Sequence, residues 1–219
     1  MRSDERDTSQ LLIATSLPLS NFLSLRRKGI YRKHFTLEDG SNPSICASFY
    51  FMNTQTIPTE SKLKEFLKES NAIENVRSIG AFKDAWKAWK FLICFDELSL
   101  SRILECHRIM MLEQNKRIAG KIRKVNVRVG FSVKLDFRKV PERLDSLLTK
   151  YPVTEEQIKE WHIEFENIHP FEDGNGRIGR IIMNWQRIKR DLPILIIHEG
   201  EEQFQYYEWF QSFKVNNVL

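Results

Sequence analysis

Hydrophobic residues recur at three- and four-residue spacing through most of the chain from Pro58 onward. This spacing places them on one face of an α-helix. It predicts six helices, whose approximate ranges are 58–75, 81–95, 99–111, 141–148, 154–169 and 177–192. The fifth helix has a capping box at its start, formed by Thr154 and Gln157.

In one short stretch the period changes to two residues, which is the alternation of a β-strand. Apolar and polar residues alternate there, at Val125, Asn126, Val127, Arg128 and Val129. Gly130 follows, and glycine favours a turn. We therefore predict an all-α fold with a short β-hairpin, or extended flap, over residues 125–133.

Length and composition describe a soluble globular protein. The chain has 219 residues, of which 42% are hydrophobic and 29% are charged, and its net charge is +5. This balance excludes general disorder, and the small positive excess permits a polyanionic partner without requiring one. We divide the chain into an N-terminal segment, 1–57, to which we assign no role, and a domain over 58–219.

Cysteine usage and the N-terminal sequence bear on the cellular compartment. The three cysteines, Cys46, Cys94 and Cys106, include no Cys-x-x-Cys, so neither a disulfide framework nor a structural zinc site is predicted. The uncharged stretch 8–25 contains many polar residues and Pro18, which makes it too polar to span a bilayer. We expect a cytoplasmic protein without a membrane segment.

A glycine-rich loop between the last two predicted helices has the features of an anion site. Gly174-Asn175-Gly176 can direct successive N–H groups toward one point, and the helix that follows adds its free N–H groups and its positive dipole end. Arg177 and Arg180 are three residues apart and therefore lie on the same side of that helix. Together these groups favour a phosphate chain.

Two residues beside this anion site carry further chemistry. A carboxylate at Asp173 would repel phosphates unless a cation lay between them, so it implies Mg²⁺. His169, at the end of the preceding helix, is placed to accept a proton from an attacking hydroxyl group. The loop therefore predicts phosphoryl chemistry that is assisted by a general base.

Residues 169–180 read His-Pro-Phe-Glu-Asp-Gly-Asn-Gly-Arg-Ile-Gly-Arg. They match every fixed position of the Fic-family signature, His-Pro-Phe-x-(Asp/Glu)-Gly-Asn-Gly-Arg-x-x-Arg. The chain therefore resembles a Fic-domain protein from about residue 58 to its C-terminus. The resemblance implies a Fic-type helical fold and transfer of AMP from ATP to a Ser, Thr or Tyr hydroxyl of a target protein.

The resemblance also implies residue roles. His169 matches the general base, Asp173 matches the residue that holds Mg²⁺, and Phe171 should point into the core. The nucleotide-binding residues would be Gly174, Asn175, Gly176, Arg177, Arg180 and, at the adenine, Tyr207. For Tyr206 and Tyr207 the alternative stays open that both pack in the core.

A second family pattern, (Ser/Thr)-x-x-x-Glu-(Gly/Asn), matches Ser70, Glu74 and Asn75. In the family this pattern marks an inhibitory helix, here near 60–75, whose Glu pairs with the second Arg of the signature. Carried over, Glu74 pairs with Arg180. A carboxylate there would remove the partner of the γ-phosphate and repel the phosphate itself.

Residues 116–128 contain several Lys and Arg and no acidic residue, the basic positions being Lys116, Arg117, Lys121, Arg123, Lys124 and Arg128. The stretch can be read as a solvated hairpin, as a nucleic-acid patch, or as a charge that attracts ATP or an acidic target. The resemblance implies that the flap holds the target segment by strand addition, through Val127, Arg128, Val129 and Gly130.

Two other functions stay open. The first is the reverse reaction, removal of AMP from a modified protein, because it would use the same residues. The second is a basic nucleic-acid-binding regulator, which would leave the residues around His169 unexplained and is therefore disfavoured. The sequence leaves the target protein and a homo-oligomeric state undetermined.

Overall fold

The computed structural model describes residues 58–130 and 132–216. This part contains seven α-helices: α1 (Glu60–Ala72), α2 (Ile79–Leu92), α3 (Leu100–Met111), α4 (Val140–Leu148), α5 (Glu155–Ile168), α6 (Asn175–Lys189) and α7 (Glu201–Asn216). A short 3₁₀ helix, Phe137–Lys139, precedes α4. The predicted N-terminal segment 1–57, with Cys46 and the uncharged stretch 8–25, lies outside the described residues, so the boundary at 57/58 stays a prediction.

Side-chain caps explain where four of the helices begin. Thr59, Ser78, Ser99 and Thr154 each accept a hydrogen bond from a backbone N–H three residues further on, at the starts of α1, α2, α3 and α5. Such caps satisfy donors that have no partner within the helix. The capping box predicted at Thr154 and Gln157 is present in both directions.

Helix α6 is the central helix of the domain. It packs against α5 and also against α1, α2 and α3. Its predicted apolar stripe is buried, from Ile178 to Ile188. The helices around it also bury its polar face, whose members are Arg177, Arg180, Asn184, Gln186 and Arg187. The loop that precedes α6 is therefore attached to the best-packed element of the fold.

The predicted hairpin is present but shorter than the alternation suggested. Strand β1 (Arg128–Val129) pairs antiparallel with β2 (Ser132–Val133), with Arg128 opposite Val133. Gly130 makes the turn with φ +55°. Val125 and Val129 are exposed, so the valines gain no buried face that would extend the pairing.

Two smaller features concern the cysteines and the length of the apolar helices. Cys94 and Cys106 are both buried. Among the described helices, none combines the length and the apolar character that a bilayer crossing requires.

Candidate active site

A six-residue loop, 169–174, connects α5 to α6 and turns through two left-handed residues. His169 caps the end of α5 with φ +51°, and its N–H donates to Phe165 O. Gly174 caps the start of α6 with φ +78°. A Cβ at Gly174 would lie 3.0 Å from Met111 Sδ, so a glycine is needed there for space as well as for conformation.

The loop is anchored from inside by Phe171. Its ring is fully buried and stacks on His107, with centroids 3.7 Å apart. The side chain of Asn175 holds the Phe171 backbone at both ends: Oδ1 accepts from N and Nδ2 donates to O, each at 2.9 Å. Phe171 thus points into the core as the resemblance implied. The Asn175 side chain belongs to the loop, which leaves its backbone N–H for an anion.

His107 on α3 also supports the loop, which the sequence did not reveal because His107 reads as one more residue of a buried helix face. Its Nδ1 accepts from Gly120 N at 2.9 Å, so Nε2 carries the proton and donates to Asp173 O at 3.0 Å. Burial lowers the pKa of His107 to about 4, so the ring is neutral at pH 7.

All three nitrogens of the Arg180 guanidinium donate hydrogen bonds. Nε donates to Ser70 Oγ at 2.9 Å, and Nη2 donates to Ser70 O at 2.8 Å and to Glu74 Oε1 at 2.9 Å. Nη1 donates to the Tyr206 hydroxyl at 3.3 Å. The structure therefore brings Ser70, Glu74 and Arg180 together, across more than a hundred residues of chain.

Glu74 lies in the turn that follows α1 and not inside the helix, because α1 ends at Ala72. The next residue, Asn75, has φ +58°, a conformation that Gly and Asn tolerate best. This explains the Gly/Asn choice in the pattern. A Cβ on Gly176 would lie only 2.2 Å from Glu74 Oε1, so the carboxylate reaches into the first turn of α6. It sits where the helix N–H groups favour an anion.

Arg177 is buried beside the same turn. Nη1 donates to Gln114 Oε1 at 2.7 Å and Nη2 donates to Met111 Sδ at 3.4 Å. Its Nε is buried without a hydrogen-bond partner in the described part of the chain. Burial lowers the pKa of Arg177. A donor left in this condition is suited to an incoming acceptor such as a phosphate oxygen.

Asp173 fits the expected contact with Mg²⁺. Its side chain is 66% exposed, with one oxygen 2.6 Å from Gly174 N and the other 3.7 Å from Arg177 Nη2. Within 58–130 and 132–216 no three His, Cys, Asp or Glu side chains cluster as a metal cage. A single carboxylate completed by phosphates and water is a common way for proteins to bind Mg²⁺.

His169, the first residue of this loop, is largely buried. Its Nδ1 lies 3.3 Å from the backbone oxygen of Glu166. Burial, followed by the nearby charge of Lys134, lowers the pKa of His169 to about 4. The imidazole is therefore neutral at pH 7 and able to accept a proton.

The two predicted tyrosines differ. Tyr206 is buried and contacts Arg180 and His162, so for this residue the core alternative is correct. Tyr207 is 40% exposed, and its hydroxyl accepts a hydrogen bond from Gln203 Nε2 at 3.2 Å. It stays available to a ligand, and its contact with adenine stays a prediction.

Arg123 is an exception within the basic stretch 116–128. Its side chain is buried, and its guanidinium donates to the carbonyl oxygens of Val125, Leu135, Ile168 and His169. It is therefore neither a solvated charge nor a free attractant for an anion. It clamps the flap to the loop that carries His169. The flap residues Arg128, Val129 and Gly130 are exposed and Val127 is half-buried.

The domain is helical, and its His-Pro loop and glycine turn lie beside a buried pair of arginines. Residues 97–186 match the family model of the Fic/DOC family. The matched range includes the loop 169–174 and most of α6.

Two curated relatives are similar to about half of the chain. The chain is 32% identical over 135 residues to protein adenylyltransferase fic-1 of Caenorhabditis elegans, covering 55% of this chain and 26% of the relative. It is 30% identical over 124 residues to protein adenylyltransferase Fic of Drosophila grimshawi, covering 52% and 25%. The chain thus spans about a quarter of the length of these curated relatives.

Two solved structures share the fold. Fic-1 (residues 134–508) of C. elegans has a TM-score of 0.55 at 23% identity, covering 72% of this chain and 56% of that one. A Fic-domain signaling protein of Bacteroides thetaiotaomicron has a TM-score of 0.61 at 23% identity, covering 71% and 73%.

Proposed function

We propose that this protein is an adenylyltransferase that transfers AMP from ATP to a Ser, Thr or Tyr hydroxyl of a target protein, and that Glu74 restrains it. One observation carries the proposal: a neutral His169 and the Arg177–Arg180 pair flank a helix N-terminus that a carboxylate of the chain itself now occupies. The names of the relatives, protein adenylyltransferase, support the same reaction.

The residues would divide the reaction as follows. His169 accepts the proton of the target hydroxyl, whose oxygen forms a bond to the α-phosphorus of ATP while the bond to the leaving pyrophosphate breaks. Arg177 and the first N–H groups of α6 hold the phosphates. Bound at Asp173, Mg²⁺ would supply positive charge against the phosphate oxygens.

Glu74 acts in this proposal by competing with the nucleotide. Its carboxylate accepts from the Arg180 Nη2 that would otherwise bind the γ-phosphate, and it adds a negative charge beside that position. Bound ATP would then hold its α-phosphorus out of line with the hydroxyl. Good alignment of the attacking atom accounts for a large part of such a rate, so misalignment is an effective restraint.

The compartment and the partners follow from the same reading. The three cysteines include no Cys-x-x-Cys, which supports a reducing compartment such as the cytoplasm. The burial of Arg123 weakens the alternative of a nucleic-acid regulator, because it removes one charge from the middle of the basic stretch. The partner is a protein hydroxyl, reached through the flap.

The test is incubation with ATP labelled at the α-phosphate and Mg²⁺, followed by detection of label on protein, including this protein itself. Glu74→Gly should raise labelling at least about tenfold over wild type, and adding His169→Ala should abolish it. Glu65→Gln, an exposed carboxylate on α1, is the matched control and should behave as wild type.

Two outcomes would count against the proposal. Equal labelling by wild type and Glu74→Gly would reject the restraint, and no labelling by either would reject the transfer. Release of AMP from a modified protein by the wild type, with Mg²⁺ or Ca²⁺, would instead favour the reverse reaction.

A further inference from the structure

Glu166 is a buried carboxyl group that lies between the two halves of the site. On α5, one turn before His169, it is 7% exposed. Its Oε2 is 3.7 Å from His169 Nδ1, and its backbone oxygen is 3.3 Å from the same nitrogen. The other carboxyl oxygen, Oε1, has no hydrogen-bond partner in the described residues. The Glu166 carboxyl group has no role in the reaction outlined above.

The fold makes room for this carboxyl at one position of α6. A Cβ on Gly179 would lie 2.5 Å from Glu166 Oε1 and 2.8 Å from His162 Cε1. Both contacts are too short for any side chain, so a glycine at 179 is what lets the carboxyl fit between α5 and α6. The placement is therefore built into the packing of the two central helices.

Titratable and charged groups surround Glu166 from every neighbouring element. They are His162 and His169 on or beside α5, Arg180 on α6, Glu74 after α1, Lys134 after β2 and Tyr206 on α7. Burial raises the pKa of Glu166 to about 7; Arg180 and Lys134 oppose that rise, and Glu74 adds to it. The carboxyl thus interacts with the general base on one side and with the Glu74–Arg180 pair on the other.

We propose that Glu166 is a positioning residue for His169, and that it links the Glu74–Arg180 pair to the strength of the general base. The Glu166 backbone oxygen accepts from Nδ1, and the carboxyl group faces the same edge of the imidazole at 3.7 Å, so Nε2 is left to accept the proton of the target hydroxyl. This inference rests on the proposed function, because it assigns His169 the role of base.

The coupling has a defined sign. Removal of the Glu74 charge leaves the attraction of Arg180 for Glu166 unopposed, which favours the ionised carboxylate. An ionised carboxylate beside Nδ1 stabilises the imidazolium that forms when Nε2 takes the proton. Release of the restraint would therefore free Arg180 and strengthen the base in the same event.

The first measurement is AMP transfer in the Glu74→Gly background over pH 5.5–8. Glu166→Gln should lower kcat at least about tenfold, leave KM for ATP within about twofold, and remove the rise in rate that accompanies ionisation of Glu166. Glu166→Asp should recover part of kcat. The exposed carboxylate Glu160, on the same helix, gives the control variant Glu160→Gln, which should change neither quantity.

The second measurement does not need AMP transfer. Diethyl pyrocarbonate modifies histidine side chains, and mass spectrometry measures the rate at His169. In the parent protein, which carries Glu166, this rate should increase with pH in the neutral range. In Glu166→Gln it should be flat, because His169 itself is already neutral there. If Glu166→Gln does not fold, the pH at the midpoint of the rise is compared in Glu166→Asp, where it should move.

The outcomes separate the two proposals. A flat modification rate in the parent protein, or an unchanged rise in Glu166→Gln, overturns the role of Glu166. A rise that depends on Glu166 in a protein that transfers no AMP supports the contact between Glu166 and His169 and rejects the adenylyltransferase.

Discussion

The carboxylate of Glu74 and the guanidinium of Arg180 meet beside a residue that has no side chain. Oε1 lies 2.9 Å from Nη2, and a Cβ on Gly176 would approach that same oxygen to 2.2 Å. The pair therefore depends on Gly176 for space as well as on charge. Stability measurements can test this dependence separately from any activity.

Gly176→Ala should lower the free energy of unfolding by about 1–3 kcal/mol, because the new methyl group pushes Glu74 away from Arg180. In a Glu74→Ala background the cost should be smaller by at least about 1 kcal/mol, since the nearest clash is gone. Urea denaturation of the four proteins gives the coupling free energy. Additive costs would show that the two residues do not share this space.

Gly179→Ala should destabilise the protein by about 1–3 kcal/mol although alanine is the better helix former, because its Cβ would collide with Glu166 and His162. Gly80→Ala is the matched control in helix α2, where the nearest atom, Ser78 Oγ, would lie 4.0 Å away. It should be neutral or stabilising. Thermal melting of both variants decides, and equal effects would contradict the packing argument.

Arg123→Met should lower the free energy of unfolding by about 2–4 kcal/mol, because the carbonyl oxygens of Val125, Ile168 and His169 lose their donor. Lys124→Met, at the exposed neighbouring position, should stay within about 0.5 kcal/mol of wild type. Urea denaturation measures both. An equally small effect of Arg123→Met would contradict this role and favour the interpretation of Arg123 as a solvated charge.

Acid should destabilise this protein through its buried histidines. Burial lowers the pKa values of His107, His162 and His169 to about 4, 3 and 4. Between pH 4 and 6.5 these histidines bind protons in the unfolded chain but not in the folded protein. The free energy of unfolding therefore falls as pH falls through that window. Glu166 acts in the opposite direction, because its raised pKa means that the folded state keeps a proton up to about pH 7.

The three histidines change the number of bound protons more than Glu166 does. The steepest part of the curve should therefore correspond to about two protons, or ~2.7 kcal/mol per pH unit. Urea denaturation from pH 7 to pH 4.5 measures the slope. His198 is an exposed histidine whose pKa is raised by Glu202 and Glu65, so His198→Asn should not flatten the curve. A stability that is constant over this range would contradict the prediction.

The sequence predicted the features that are encoded locally. The capping box at Thr154 and Gln157 depends on residues three positions apart, and the end of α5 at His169 follows from the proline after it. The pairing of Glu74 with Arg180 is long-range, and it was predictable only because two family patterns named both ends.

The remaining features depend on neighbours that are distant in the chain. Arg123 looked like one more basic residue, and only the fold brings the carbonyls of the His169 loop to it, some 45 residues away. Similarly, α6 reads as an amphipathic helix, whereas α1, α2, α3 and α5 enclose its polar face too. Periodicity indicates one buried face of a helix and gives no sign of a second.

The four contacts of Arg180 have a consequence for any anion that displaces Glu74. Ser70 and Tyr206 would still hold the guanidinium after the carboxylate leaves. The Arg180 side chain is therefore already fixed in one rotamer when the displacing anion binds. Ordering a long arginine side chain normally weakens binding by a measurable entropic cost. In this protein that ordering happens once, during folding, and exchange of one anion for another leaves it in place.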